Sequence, residues 1–437
     1  MISRSQAVEL DRQQTKPERR QKRKQLKKKQ FRKRLNVVIA MLLTAQVIAM
    51  CCVSVVYATE SKGHVTARPS GIQTYSFMNS GNYTGWLYNK INTVSHNRVR
   101  WLYELMTAAG FDVDADKSNG VKVLEQARRY GIINVYSEDD IYLPITRRFV
   151  GYTMVKAFDY PYLNAGYIAD ISDAEGYMST MAYFGYFLPD INDNIHPDSA
   201  VTNEEYDRLM TELDRYRRLK GKSVLSFGDS IMYGTGNGGE GISDMIAIKY
   251  GMSCTDYAVP GATFGESSGR GHIPDQIRKA YSQGRTADII LINGGTNDMN
   301  HTAFGNITDG YDMSKTSEKP YTEAFERSLW MLGTYWRYVP VIYIRAHNME
   351  LGEDANERRY GERAMEIAEK WSINAIDLYN DSGMNTEDKA ICSRYSYLNP
   401  STGMTCDSIH PNAIGYAKFY LSPVAQTMDE IFSGEAQ

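Results

Sequence analysis

Five residues spread over 180 positions have the types needed to move an acyl group: Ser230, Gly261, Asn297, Asp407 and His410. Ser230 stands in Ser226-Phe227-Gly228-Asp229-Ser230-Ile231-Met232-Tyr233-Gly234, between an apolar run and a helix-like stretch. A hydroxyl on such a turn becomes a nucleophile once a base takes its proton. Asp407-Ser408-Ile409-His410-Pro411-Asn412 offers that base, an imidazole with a carboxylate three residues before it that can fix the ring's tautomer. Two other runs end in donors. Ala258-Val259-Pro260-Gly261-Ala262 brings a backbone N–H that no side chain obstructs, and Gly294-Gly295-Thr296-Asn297-Asp298 brings a carboxamide. With the Ser230 N–H these donors can meet an oxyanion, each contributing about 3 kcal/mol when well placed. The chemistry asks for no cofactor. His272 and His301 have no ligand-spaced partners, so no metal site is expected either.

Distinct stretches of chain must deliver these residues to one place. Short β-rich runs at 223–227, 255–259, 287–293, 340–346 and 373–378 alternate with helical stretches at 242–250, 274–282, 321–338 and 356–371. That alternation predicts an α/β fold, a parallel sheet covered on both faces in three layers. Ligands of such sheets bind at the carboxyl ends of the strands, where Ser230, Gly261 and Asn297 fall. The ordered blocks Ser, Gly, Asn and Asp/His between about 222 and 432 resemble the SGNH (GDSL-like) hydrolase family. The resemblance implies a flavodoxin-like sheet in a hydrolase domain over 221–437 and hydrolysis of carboxylic esters. It makes Ser230 the nucleophile, Gly261 and Asn297 partners of the Ser230 N–H in the oxyanion hole, His410 the base and Asp407 its orienting acid.

Blander roles exist for each block. Gly261 can simply permit a turn, Asn297 can cap the segment after it, and Asp407 can cap a helix around 412–420. His347, near another strand end, reads first as a satisfied structural histidine and second as a substrate contact. Residues 234–239 (Gly-Thr-Gly-Asn-Gly-Gly) fit a dinucleotide-binding pattern, with Asp256 as a ribose ligand. That fold needs its first glycine directly after the strand, whereas Gly234 trails Phe227 by seven residues. The glycines are therefore expected in a mobile loop beside Ser230. Aromatics between Tyr311 and Tyr338 suit sugar stacking, but the spacing of Phe325, Leu329 and Leu332 predicts a helix core.

Apolar residues at 42% and charged residues at 23%, with 35 Gly and 13 Pro, exclude a disordered or collagen-like chain of this length, 437 residues. The net charge of -3 conceals a split: residues 1–35 carry 14 Lys+Arg against 3 Asp+Glu, so the remainder is at -14. Nucleic-acid binding by the main body is disfavoured. Residues 36–59 carry no charge, and 37–57 are long and apolar enough to span a bilayer. The basic tail at 1–35 would stay in the cytoplasm and the bulk of the chain would be exported as a single-pass membrane protein. The alternative is secretion after cleavage near Ala58.

After a Gly-, Ser- and Asn-rich linker at 60–92, a layout recurs at Val94-Ser95, Ile145-Thr146 and Val201-Thr202, starting 51 and 56 residues apart. Each has an apolar residue, a capping Ser or Thr and a helical pattern. Second helices at 120–130 and 174–183 follow the first two. These helical repeats, within 93–220, resemble the S-layer homology module, which implies attachment to cell-wall polymer; a spacer or packing platform is the alternative. Asp190-Ile191-Asn192-Asp193-Asn194 lacks the glycine and bidentate acid of a calcium loop and reads as a solvated turn. Cys51 and Cys52 read as filler in the apolar run, and Cys254 has no evident partner. Cys392 and Cys406 are either a bridge or two thiols. The expectation is a membrane-anchored, extracytoplasmic serine esterase acting through an acyl-Ser230 intermediate on a small ester or on O-acyl, including O-acetyl, groups of carbohydrate. An O-acyltransferase using the same residues and a non-catalytic wall-attachment protein are the rivals.

Overall fold

The computed structural model describes residues 97–114, 119–135, 143–349, 354–398 and 406–434. The basic tail, the apolar run at 36–59, the linker, Cys51, Cys52 and Ser95 lie outside the described residues. Among those described, no helix is long and apolar enough to cross a membrane.

Four of the first five helices start at a polar residue whose side chain caps them. Helix α1 (Arg98–Ala109) starts at Asn97, whose Oδ1 accepts from Arg100 N at 2.8 Å; the cap is thus two residues beyond the expected Ser95. After α2 (Gly120–Arg129), α3 (Arg147–Phe158) starts at Thr146, which accepts from Phe149 N. Helix α4 is Gly176–Tyr183, and α5 (Asn203–Leu219) starts in a reciprocal capping box between Thr202 and Glu205. Antiparallel bridges pair Asn97 with Pro144 and Thr146 with Ala200, so the caps of α1 and α3 are stitched to the segments that lead into α3 and α5.

Beyond Leu219 the period changes to strands: β1 (Ser223–Phe227), β2 (Ser253–Asp256), β3 (Ile289–Asn293), β4 (Val341–Arg345) and β5 (Asn374–Asp377). They form one parallel sheet in the order β2-β1-β3-β4-β5. Strand β2 ends earlier than expected because the Asp256 carboxylate accepts from Ala258 N and turns the chain. Backbone pairing with the β1 side nevertheless continues through Tyr257 N to Ser226 O and Val259 N to Gly228 O. The connecting helices are α6 (Ile242–Tyr250), α7 (Ile273–Ser282), α8 (Tyr321–Tyr335) and α9 (Asp354–Lys370), followed by α10 (Lys389–Tyr395), α11 (Ala413–Phe419) and α12 (Leu421–Ser433).

Alternation along the strands sends their side chains to two cores. Leu225, Phe227, Ile290, Ile292 and Tyr343 pack with α7, α8 and α9, burying Phe325, Leu329 and Leu332 as the spacing predicts. Val224, Ile289, Leu291, Ile342 and Ile344 pack with α6 and α12, and this second core runs on without interruption into α1–α5. Helix α5 lies against α6 and α12. Glu212 of α5 pairs with Lys249 of α6 at 2.7 Å and accepts from Tyr250 Oη at 2.8 Å, all three buried. The helical segment is therefore a further layer on the α/β core.

Candidate active site

The order of strands reverses between β1 and β3, which opens a crevice at their carboxyl ends. Gly228 turns the chain out of β1 there. A Cβ at that residue would come within 2.7 Å of Asn293 O and 2.8 Å of the Met232 side chain, so glycine is required. Gln276 of α7 grips Gly228 from both sides, Nε2 donating to its O and Oε1 accepting from its N, each at 2.9 Å. Asp229 then caps the single helical turn Ser230–Tyr233, accepting from Ile231 N at 2.9 Å. Burial pushes the Asp229 carboxyl up to about 6. The next residue, Ser230, is thereby held at the first position of the turn.

His410 Nε2 lies 2.8 Å from Ser230 Oγ, and His410 Nδ1 lies 2.5 Å from Asp407 Oδ2. Asp407 Oδ1 accepts from the backbone N–H of Ile409 at 3.1 Å and of His410 at 2.9 Å. Burial alone would raise this carboxyl; the hydrogen bonds from the ring and the two amides outweigh it and hold Asp407 below its ordinary value. Cys392 and Cys406 are bridged, with Cα atoms 5.8 Å apart, which anchors the chain immediately before Asp407. Thr386 Oγ1 donates to Ser408 O at 2.7 Å, and Tyr397 N to His410 O at 2.7 Å. The cap of α11 is Asn412, accepting from Gly415 N, so Asp407 is left to the histidine.

The remaining blocks arrive from β2 and β3. Gly261 takes a left-handed turn at φ 80°, and Asn297 Nδ2 donates to Ala262 O at 3.0 Å, leaving a second amide proton for a ligand. Asn297 thus ties the two donor loops together; its side chain makes no cap to the turn after it. Asp298, fully buried, accepts from Phe264 N at 2.9 Å and Gly265 N at 2.8 Å, and burial pushes its carboxyl up to about 7. Ser230, Gly261, Asn297 and His410 line one open pocket of about 260 Å³ with Thr235, Pro260, Thr296, Asn300, His301 and Ile409.

All five residues singled out by type and spacing meet here. His347 does not: it is buried, with Nδ1 against Tyr420 Oη, and burial pushes its imidazole down to about 3, so the ring is neutral. Residues 234–239 form a packed turn beside Ser230 rather than a loose one, since a Cβ at Gly236 would strike Pro411 O and His410 Cβ. Asp190 closes its own turn by accepting from Asn192 N and Asn194 N, and Arg394 of α10 pairs with Asp193 at 3.2 Å. Gln276, Asp298 and Thr235 escaped the sequence reading. Only Asp298, adjoining Asn297, carried a local signal.

A parallel sheet with Ser, His and Asp in hydrogen-bonded series on its carboxyl edge defines a serine hydrolase. Residues 226–418 match the model of the GDSL-like Lipase/Acylhydrolase family. This part of the chain is a GDSL-like lipase/acylhydrolase domain, a serine ester hydrolase. Similar solved structures include a lipolytic G-D-S-L family member from Veillonella parvula (18% identity, 48% of this chain and 96% of that one, TM-score 0.32). An aryl esterase of M. smegmatis (12%, 48% and 98%, 0.34) and the acetyl xylan esterase AlAXEase (16%, 47% and 97%, 0.32) are also similar. No curated protein matches the chain.

Proposed function

We propose that this protein is a membrane-anchored, extracytoplasmic serine esterase that removes short O-acyl groups, O-acetyl among them, from carbohydrate. The observation that carries the substrate class is the pocket itself. It is open, and Thr296, Asn297, Asn300 and His301 line it, so it offers hydrogen bonds to a hydroxylated alcohol. The Cys392–Cys406 bridge supports an oxidising compartment. The charge-free run at 36–59 behind a basic tail supports the anchor.

In this mechanism Ser230 Oγ attacks the ester carbonyl carbon and passes its proton to His410 Nε2, while Asp407 holds the opposite ring N–H. The carbonyl π electrons move onto oxygen, where the Ser230 and Gly261 N–H groups and the Asn297 carboxamide receive them. Collapse breaks the bond to the sugar oxygen, which leaves with the proton from His410. Water, deprotonated by the same ring, then attacks the acyl-Ser230 ester; collapse breaks the bond to Ser230 Oγ, which takes back the proton from His410, and the carboxylic acid is released. Purified full-length protein incubated with an O-acetylated polysaccharide should release acetate, and Ser230→Ala should not. Hydrolysis of an aryl acetate with no release from any acetylated polysaccharide would remove the carbohydrate assignment while leaving the esterase in place. Attachment of α1–α5 to wall polymer belongs to the same proposal on the strength of sequence resemblance, and retention on purified cell walls tests it.

A further inference from the structure

We infer that the helical segment completes the active site: Tyr183 of α4 is a positioning residue that holds the turn at 235–237, and with it one wall of the catalytic pocket, against His410.

The turn is a single 3₁₀ turn bounded by left-handed glycines, Gly234 at φ 82° and Gly238 at φ 68°. It belongs to no strand or longer helix that would fix it. Its anchor is Asn237, whose Nδ2 donates to Tyr183 Oη at 2.7 Å and to Glu240 O at 2.9 Å. Tyr183 Oη donates in turn to the Glu240 carboxylate. Burial, reinforced by Glu240, raises the phenol and keeps it protonated, as a group that both accepts and donates must be. The other side of the same turn faces the chemistry. Gly236 is flush with His410 Cβ and Pro411 O, and Thr235 lines the pocket with Ser230 and His410. Thr235 Oγ1 is buried without a hydrogen-bond partner among the described residues. A buried hydroxyl without a partner is unfavourable, so the contacts on the far side of the turn must hold Thr235 there.

The turn thus couples two surfaces. What Tyr183 and Asn237 fix on one side sets where Thr235 stands and how closely His410 is backed on the other. The helical segment also reaches the flank of the disulfide, where Arg394 donates to Pro189 O at 3.2 Å and pairs with Asp193. Tyr183 touches no reacting atom; it acts through Asn237 and Glu240.

The test uses the full-length chain with an aryl acetate and counts kcat per Ser230 titrated by a fluorophosphonate. Misfolded molecules therefore cannot lower the value. Tyr183→Phe should reduce kcat by about tenfold, as small misplacements near a catalytic group do, with KM changed by less than about twofold and the labelling rate of Ser230 falling in parallel. Tyr167→Phe, 79% exposed on the same segment, should leave all three unchanged. Wild-type kcat and labelling rate in Tyr183→Phe would overturn the inference, as would a lower unfolding midpoint with kcat per titrated site intact. If Tyr183→Phe does not fold, Glu240→Ala decides: reduced kcat per site supports the inference and an unchanged value refutes it.

Discussion

Two regions supply the active site, and they hold their residues by different means. Ser230, Gly261 and Asn297 sit on turns that leave β1, β2 and β3, so the ladder of a buried parallel sheet fixes their spacing. Gln276 and Asp298 add side-chain grips on the backbone of those turns. Asp407 and His410 come from a loop between α10 and α11 with no strand among its described residues. A covalent bridge, the Asn412 cap, the Thr386 bond to Ser408 O and a short antiparallel pairing of 395–397 with 407–412 do there what the sheet does opposite. One half of the machinery is placed by secondary structure and the other by cross-links, although the two meet at 2.8 Å. Placement by cross-links is the more easily undone.

The largest effect should come from the chemistry itself. Ser230→Ala and His410→Ala should each lower kcat for an aryl acetate by about 10⁶-fold. A His410→Ala loss smaller by orders of magnitude would show that the loop side contributes less than its geometry implies. Asn297→Ala should cost about 10²–10³-fold in kcat, the range for one lost oxyanion donor, with little change in the unfolding midpoint. Replacing Cys392 and Cys406 together by Ser should remove about 3 kcal/mol of stability and lower kcat by about tenfold. An unchanged kcat would mean that the loop keeps its shape without the bridge.

The smallest effect is a pH dependence on the sheet side. The Asp298 carboxyl sits at about 7 in the folded chain against an ordinary 3.8. It binds a proton more readily when folded, so it contributes stability that is complete below about 3.8 and is lost as pH rises through 7. Asp298→Asn should therefore flatten the fall of the unfolding midpoint between pH 4 and 8. Asp407, shifted the other way, acts below 3.8 and does not enter that window. An unaltered slope in Asp298→Asn would show that its carboxyl is not the source.

The sequence carried the sheet and its catalytic blocks because both are written locally: β-rich runs between helical ones, and Ser230, Gly261 and Asn297 each a few residues past a run. The end of β2 was misplaced because Asp256 spends its side chain on Ala258 N, a turn that composition does not reveal. By type and position Asp407 also suits the cap of the helix around 412–420, and only the structure shows Asn412 in that role. Gln276, Thr235 and Tyr183 left no sign, since each matters through a group 40 or more positions away or through the shape of a pocket. Nor does the layout of 93–220 disclose that its helices share a core with the sheet.

That common core changes how the chain can be cut. Ending α5 at Leu219 and starting β1 at Ser223 suggests a clean boundary, yet a fragment beginning there would lose the Glu212 counter-charge of Lys249 and the acceptor of Tyr250, and would expose the apolar residues of α6 and α12 that α5 covers. Heating should accordingly give a single calorimetric endotherm for the region from residue 97 onward, and trimming the enzyme for expression should preserve α1 rather than start at the first strand.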